Sequence, residues 1–302
     1  MAPGPTPRSP RWTASPLQPH ESPMKVAAIQ TVSGTQVGAN LLAAGRLLEA
    51  AAAAGAELAV LPEYFCLLGH RDTDKLNVQE VFGKGPIQQF LSDTAKRLNI
   101  WIVGGTLPIS SGEPTAPDTT VPARVFNTSL AFSPQGDCVA RYDKIHLFRF
   151  DNGRERYDES RALLRGNTPV IFELPSRDGH RWTIGMSVCY DVRFPELYRQ
   201  YAVAGADLLL VPSAFTHTTG QAHWELLLRT RAVENLAFVA APAQGGLHEN
   251  GRQTWGHSML VDPWGRMAAE QAEGEGVVLA ELDIARLREA RLQLPALEHR
   301  VL

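Results

Sequence analysis

The hydrophobic positions along the chain alternate between short apolar runs and longer stretches with helical spacing. Residues 58–61 and 208–211 are continuous apolar runs, which are typical of strands buried on both faces. The stretch from Asn40 to Gly55 has helical spacing, and we expect Asn40 to cap this helix and Gly55 to end it. From residue 24 onward, the pattern therefore predicts a succession of strands and helices.

Similar hydrophobic patterns occur along the rest of the chain. We expect strands over residues 25–30, 100–103, 125–132, 139–142, 183–188, 238–241, 258–261 and 276–282, and helices over 85–98, 195–204 and 284–290. The capping pair Thr218 and Gln221 predicts the start of a further helix. A turn at 133–136 predicts a hairpin. Buried strands interrupted by a hairpin favour two mixed sheets flanked by helices over one doubly wound sheet, although periodicity alone leaves both open.

The composition changes near residue 24. Prolines stand at positions 3, 5, 7, 10, 16, 19 and 23, and few residues before 24 are aliphatic. Such a stretch cannot offset its ordering entropy by burial, so we expect residues 1–23 to form a disordered tail, with a transit peptide as the alternative. Residues 24–302 are expected to form one domain, since a large α/β domain accommodates this length.

Charge and cysteine content narrow the classes of partner. The net charge is −3 and the apolar share is 44%, which favours neither nucleic acid nor an anionic membrane surface as a partner. Cys66, Cys138 and Cys189 form no CxxC pair, as is typical of a reducing compartment. No apolar run reaches the roughly 18 residues of a membrane helix. We therefore predict a cytoplasmic protein whose partners are small molecules or copies of itself.

Three residues suited to attack on an amide each follow a predicted strand: Glu63, Lys144 and Cys189. A thiol supplies the nucleophile, a carboxylate accepts its proton, and a lysine cation favours the thiolate and stabilises negative charge on the carbonyl oxygen. The set predicts a hydrolase that cleaves an amide C–N bond through a Cys189 thioester and releases ammonia. The backbone amide of Tyr190 is the expected second donor to the oxyanion.

Several blocks around these residues follow one another along the chain: Leu61-Pro62-Glu63, Lys144-Ile145-His146-Leu147-Phe148, Cys189-Tyr190-Asp191 and Trp255-Gly256-His257-Ser258. They resemble the nitrilase (carbon–nitrogen hydrolase) superfamily over nearly the whole chain after residue 23. The resemblance implies an αββα four-layer sandwich of two mixed sheets flanked by helices, a homodimer or higher homo-oligomer, and no cofactor. It also implies a second glutamate that orients the lysine. Glu159 fits by position, with Glu155 and Asp158 as close alternatives.

The sequence after the nucleophile resembles the amidase and carbamoylase branches rather than true nitrilases. Residues 212–216 and 219–225 resemble the deaminated glutathione amidases and the ω-amidases, and residues 240–249 are more similar to the former. The resemblance implies a small, acid-bearing amide as substrate. Four residues are expected to contact it: Tyr190, Arg193, Phe215 and Thr216. For Arg193, a structural salt bridge to Asp191 or Glu196 is an equal alternative.

Other interpretations remain open at this point. The resemblance leaves an ω-amidase or an N-carbamoyl amino acid amidohydrolase as rival enzymes, and a binding protein on an inactive fold is the rival class. The histidines show neither HxH nor HExxH spacing, so we expect no metal site. A lone buried cysteine is most often a core residue, and for Cys66 and Cys138 we expect packing rather than chemistry.

Overall fold

The computed structural model describes residues 22–112 and 123–301. Most of the predicted tail lies outside these residues, so the disorder of 1–23 and the domain limits 24–302 stay predictions. Within the described ranges, no helix combines the length and the apolar character needed to cross a membrane.

The described residues contain the following strands: β1 (Met24–Gln30), β2 (Leu58–Val60), β3 (Trp101–Val103), β4 (Leu107–Ser110), β5 (Val125–Phe132), β6 (Cys138–Asp143), β7 (Arg149–Asp151), β8 (Arg156–Asp158), β9 (Leu163–Leu164), β10 (Val170–Pro175), β11 (Arg181–Met186), β12 (Leu208–Leu210), β13 (Phe238–Ala241), β14 (Gly245–Leu247), β15 (Gln253–Trp255), β16 (Ser258–Val261), β17 (Met267–Gln271) and β18 (Gly276–Leu282). The α-helices are α1 (Val37–Ala53), α2 (Pro86–Leu98), α3 (Pro195–Val203), α4 (His217–Asn235) and α5 (Ile284–Gln293). Short 3₁₀ helices span Asp74–Val78, Glu159–Arg161 and Cys189–Arg193.

Two mixed sheets form the centre of the fold. In the first sheet the strand order is β18-β1-β2-β3-β5-β4, and β6 and β9 also pair with β5. In the second sheet the order is β10-β11-β12-β13-β16-β17. Each sheet has a parallel centre, β1-β2-β3 in one and β11-β12-β13 in the other, with antiparallel strands on both sides.

Successive side chains of β1 point to opposite faces of the first sheet, and this shows which layer packs on each face. Val26 and Ala28 belong to the core that the two sheets share, whereas Ala27 and Ile29 point to the opposite face and pack with α1 and α2. Successive side chains of a strand point to opposite faces, so a strand buried on both sides is apolar at every position. On the far side, α4 packs on β13 and β16, and α3 packs on α4. The predicted αββα four-layer sandwich is confirmed.

Two predicted helix starts were wrong. Helix α1 begins at Val37, and the side chain of Asn40 inside it bonds to both backbone groups of Gly34 and to the carbonyl of Cys66. The amide is therefore used to join two loops and is not free to cap the helix. Helix α4 is capped by Thr216, whose hydroxyl accepts from the Thr219 amide, and not by the pair at 218 and 221.

The topology brings the ends of several strands to one edge of the sandwich. Thr31, just after β1, pairs with Gln244, just after β13, so the two parallel centres end on the same side. The carboxyl ends of β2, β6 and β11 also lie here. The residues that follow these three strands can therefore meet between the sheets.

Candidate active site

The three residues predicted to act together do lie together, and Lys144 is at their centre. Its Nζ donates to Glu63 Oε1 at 2.9 Å and to Glu159 Oε1 and Oε2 at 2.9 and 2.8 Å. The lysine side chain is 0% exposed. A fully buried ammonium is tolerated only when charge partners and hydrogen bonds replace its water shell, and two carboxylates do so here.

Glu63 is held by neutral donors as well as by the lysine. Asn127 Nδ2 donates to Oε1 at 2.9 Å, and the backbone amide of Ala214 donates to Oε2 at 3.0 Å. Asn127 also accepts a bond from the backbone amide of Lys144. Both carboxylate oxygens are thus fixed in position, with donors from both sheets.

Of the three acidic residues considered for the second carboxylate, Glu159 is the one that bonds to Lys144. Besides Lys144, its side chain accepts from the phenol of Tyr64 at 2.9 Å and from the backbone amide of Phe148 at 2.6 Å. Glu155 instead accepts from Thr218, and Asp158 caps the short helix that contains Glu159.

Lys144 and the two carboxylates around it stabilise one another in their charged forms. Burial by itself lowers the pKa of Lys144, but the carboxylates of Glu159 and Glu63 outweigh it, and the pKa lies above its usual value. Burial raises the pKa of Glu159, but Lys144 and the amide of Phe148 outweigh it, and that pKa lies below its usual value. The lysine is therefore a cation, and Glu159 is an anion, at neutral pH.

Cys189 follows β11 at a turn that leads into the 3₁₀ helix. Its φ is +50°, a left-handed conformation that is uncommon for a residue with a Cβ and that is often found at functional sites. The side chain is buried, and 8% of the residue is exposed. Burial and the charge of Glu63 raise the pKa of the thiol more than Lys144 lowers it. Lys144 favours the thiolate, but burial and the nearby carboxylates outweigh it, so the resting sulfur is a thiol at neutral pH.

Asp191 joins the Cys189 turn to the Lys144 loop. The carboxylate is 0% exposed and accepts from the backbone amides of Val188 at 2.8 Å and His146 at 2.9 Å. The phenol of Tyr142 donates to it at 2.7 Å, and the Nδ1 atom of His146 lies 2.7 Å from it. Asp191 is therefore already saturated, and it forms no salt bridge with the arginine two residues later.

The expected substrate-binding residues lie in two segments, the 3₁₀ helix that begins at Cys189 and the loop between β12 and α4. Tyr190 is half-buried and makes edge contacts with the rings of Phe148 and Phe194. Arg193 lies over the rings of Tyr190 and Phe215, at 5.8 and 5.9 Å, and bonds to His223 rather than to either predicted carboxylate. Its guanidinium is thus left without an anionic partner among residues 22–112 and 123–301.

Phe215 and Thr216 are both buried. The ring of Phe215 packs on Trp224 at a centroid distance of 4.8 Å, and the hydroxyl of Thr216 caps α4. Substrate contact by these four residues stays a prediction. In the part of the chain that the structure describes, no group of three or more His, Cys, Asp or Glu residues is arranged to hold a metal ion.

Sequence reasoning missed the residues that position the cluster: Tyr64, Asn127, Asp191 and Ala214. Asn127 gives a signal, since it begins a run of three polar residues in a strand that is apolar elsewhere, and polar residues need a partner when buried. Ala214 acts only through its backbone amide, which the residue type does not reveal.

The fold of two mixed sheets and the buried Glu-Lys-Cys cluster between them together define the class of protein. Residues 25–292 match the family described as carbon-nitrogen hydrolase, and the chain belongs to this family. It is an enzyme that hydrolyses amides.

Named relatives place the chain within the family. It is 38% identical over 281 residues to the deaminated glutathione amidase of Synechocystis, covering 92% of this chain and 98% of that protein. It is 35% identical over 280 residues to the omega-amidase NIT2 of Danio rerio, covering 92% and 95%. The solved structure of Saccharomyces cerevisiae Nit3, a member of branch 10 of the nitrilase superfamily, is similar with a TM-score of 0.79 at 32% identity, covering 94% of this chain and 98% of that one.

Proposed function

We propose that the chain is a thiol amidase whose nucleophile is Cys189 and whose general base is Glu63. The observation that carries this proposal is the buried cluster in which Glu63 contacts Lys144 at 2.9 Å and the thiol lies beside both. The Glu63 carboxylate takes the thiol proton as the sulfur attacks the carbonyl carbon. The new C–S bond moves the carbonyl electron pair onto oxygen.

Collapse of this tetrahedral adduct breaks the C–N bond. Glu63 returns the proton to the departing nitrogen, which leaves as a neutral amine or as ammonia. A water molecule then attacks the thioester, again giving a proton to Glu63, and the sulfur leaves with the electrons of the C–S bond. The acid is released and the thiol regains its proton, so the cycle closes without a cofactor.

Two groups are positioned to stabilise the negative oxygen. Lys144 supplies a cation with a raised pKa. The amide of Tyr190 lies in the first turn of the 3₁₀ helix, where N–H groups have no intrahelical acceptor. Fixed donors of this kind, in a site that excludes water, are typically among the largest contributions to such reactions.

For the substrate, we propose deaminated glutathione, with α-ketoglutaramate as the second candidate. Relatives named for each activity are 38% and 35% identical to this chain. Both compounds carry carboxylates, which suits the guanidinium of Arg193, since it has no anionic partner among the described residues. The amine that leaves deaminated glutathione is a dipeptide, so the expected release of ammonia applies only to the second candidate.

Parallel kinetics will separate the two substrates. We expect kcat/KM to be higher for deaminated glutathione, and the measurement is the release of 2-oxoglutarate, the product that both share. A preference for α-ketoglutaramate would make the chain an ω-amidase. Faster turnover of an N-carbamoyl amino acid than of either would contradict both assignments.

Replacing Glu63 with Gln is expected to make the thiol more acidic and the enzyme less active. The negative charge of Glu63 raises the pKa of Cys189, so its removal lowers that pKa and increases the thiolate fraction at pH 8. Turnover nevertheless falls about 10²- to 10⁴-fold, because the base is missing. The test compares kcat with the rate of alkylation of Cys189 by iodoacetamide, followed by peptide mass spectrometry between pH 6 and 10.

The exposed Glu49→Gln variant is the control for this experiment and should change neither quantity. Slower alkylation of Glu63→Gln than of the wild type at pH 8 would show that the carboxylate does not oppose ionisation of the thiol.

We further propose a cytoplasmic homodimer. Cys66, Cys138 and Cys189 are unpaired, which suits a reducing compartment. The outer face of α4 exposes Leu226 and Val233, and large exposed apolar residues grouped on one helix favour association with a second copy.

A further inference from the structure

Arg252 is a partly exposed cation whose Nε atom is buried and lacks a hydrogen-bond partner among the described residues. It lies just before β15, and its guanidinium is 5.0 Å from the centroid of the Tyr157 ring. The Nε atom is shielded from solvent and bonds to no described group. A buried donor left unpaired costs about 1–3 kcal/mol, so most such donors in native proteins have a partner or a ligand.

Lys75 is a second cation on the same side of the site. It belongs to the 3₁₀ helix Asp74–Val78, and its Nζ lies 4.7 Å from the centroid of the Tyr64 ring. Burial lowers its pKa, the carboxylates of Glu159, Asp72 and Glu63 partly oppose this effect, and the charge of Arg252 adds to it.

No described carboxylate forms an ion pair with either cation within residues 22–112 and 123–301. Asp72 is exposed and acts on Lys75 only through its field, as do Glu63 and Glu159. Both carboxylates of the cluster are already bonded to Lys144.

The position of the two cations relates them to the catalytic cluster. The phenol of Tyr64 donates to Glu159, and the charge of Arg252 acts on this same phenol. Lys75 lies over the Tyr64 ring, and Arg252 lies over the ring of Tyr157, two residues before Glu159, so both cations are near this contact. Arg193 lies elsewhere, over Tyr190 and Phe215.

We propose that Lys75 and Arg252 form an anion subsite that binds a carboxylate of the substrate, and this proposal rests on the amidase function proposed above. An anion between the two groups would satisfy the free Nε atom and remove the repulsion between the cations. The carboxylate belongs either to the acyl part of the substrate or to its leaving amine. Lys75 and Arg252 thereby select acid-bearing amides over neutral ones.

The test uses Lys75→Gln and Arg252→Gln, with the exposed Lys96→Gln on α2 as a matched control. The substrates are deaminated glutathione, α-ketoglutaramate and the methyl ester of α-ketoglutaramate. We expect Lys75→Gln and Arg252→Gln to raise KM about tenfold to 100-fold for each substrate whose carboxylate the replaced residue binds. We expect kcat to change little. The charge-preserving variants Lys75→Arg and Arg252→Lys should recover part of this loss.

The pattern of losses identifies the carboxylate. Higher KM for both acids but not for the ester assigns the acyl carboxylate, and higher KM for deaminated glutathione alone assigns the carboxylate of the leaving amine. Either pattern supports the subsite. Equal losses on all three substrates, or no loss beyond that of Lys96→Gln, would overturn it.

The subsite can also be tested if the proposed amidase function is wrong. If the wild type hydrolyses none of these compounds, calorimetric binding of deaminated glutathione to the Cys189→Ala protein takes the place of KM. Weaker binding when Lys75→Gln or Arg252→Gln is added still supports the subsite. Unchanged binding, or no binding in the Cys189→Ala background, overturns it.

Discussion

Replacement of Cys189 with Ala is expected to abolish amide hydrolysis while the protein stays folded. The thiol is the only protein group in the proposed mechanism that forms a covalent bond to the substrate, and loss of a catalytic nucleophile lowers turnover by about 10⁶-fold. The change removes one sulfur atom at the edge of the core, and the backbone amide still donates to the Pro212 carbonyl at 3.0 Å. The measurements are kcat for the best substrate and intact mass after acid quenching, which should show an acyl adduct on the wild type only.

The other two cysteines provide controls for this result. Cys138 is exposed, and burial raises the pKa of Cys66 to about 12. Cys138→Ala and Cys66→Ala should retain both turnover and the acyl adduct. Residual turnover above about 1% in Cys189→Ala, with a normal melting temperature, would rule out the thioester route.

Replacement of Lys144 with Met is expected to reduce both activity and stability. Loss of one donor to the oxyanion typically lowers turnover about 10²- to 10³-fold, and a cation should matter at least as much. The change also leaves Glu63 and Glu159 buried without their countercharge, which typically costs about 3–5 kcal/mol. Denaturant unfolding at pH 7, with the exposed Lys96→Met as control, measures this loss.

The stability difference should depend on pH. In the wild type, Lys144 lowers the pKa of Glu159, so this contribution is complete above the ordinary carboxylate pKa and is lost as pH falls. In Lys144→Met, burial is opposed only by the amide of Phe148 and the charge of Lys75, so the pKa of Glu159 rises and the variant is stabilised as the carboxyl takes up a proton. The gap between the two proteins should narrow from pH 7 to pH 5. A gap that stays constant would mean that unpaired charge is not the cause.

The main layout of the fold and site could be predicted because its signals are local. Buried strands such as β2 and β12 are apolar at every position, and Glu63, Lys144 and Cys189 each lie within three residues of the end of a strand. The resemblance to a known superfamily then supplied the four-layer arrangement that periodicity left open. The carboxyl ends of neighbouring strands lie close together at one edge of a sheet, whatever conformations the loops adopt.

The remaining features depend on contacts between distant segments. The choice of Glu159 over Glu155 and Asp158 is made by the amide of Phe148 and by the hairpin of β7 and β8, and no local pattern encodes that choice. Asn40 looks like a helix cap in the sequence, but it bonds to two loops. The raised pKa of Cys189 depends on burial and on the number of carboxylates nearby, which residue types alone do not give.

The Asp191 carboxylate makes the turn of Cys189 and the loop of Lys144 parts of one cooperative unit. Its Oδ2 atom accepts from the amide of Val188 and its Oδ1 atom from the amide of His146, so separation of the two segments leaves a buried oxygen and an amide unpaired. The relative position of the sulfur and the lysine loop is therefore held by a residue that takes no part in the proposed proton transfers.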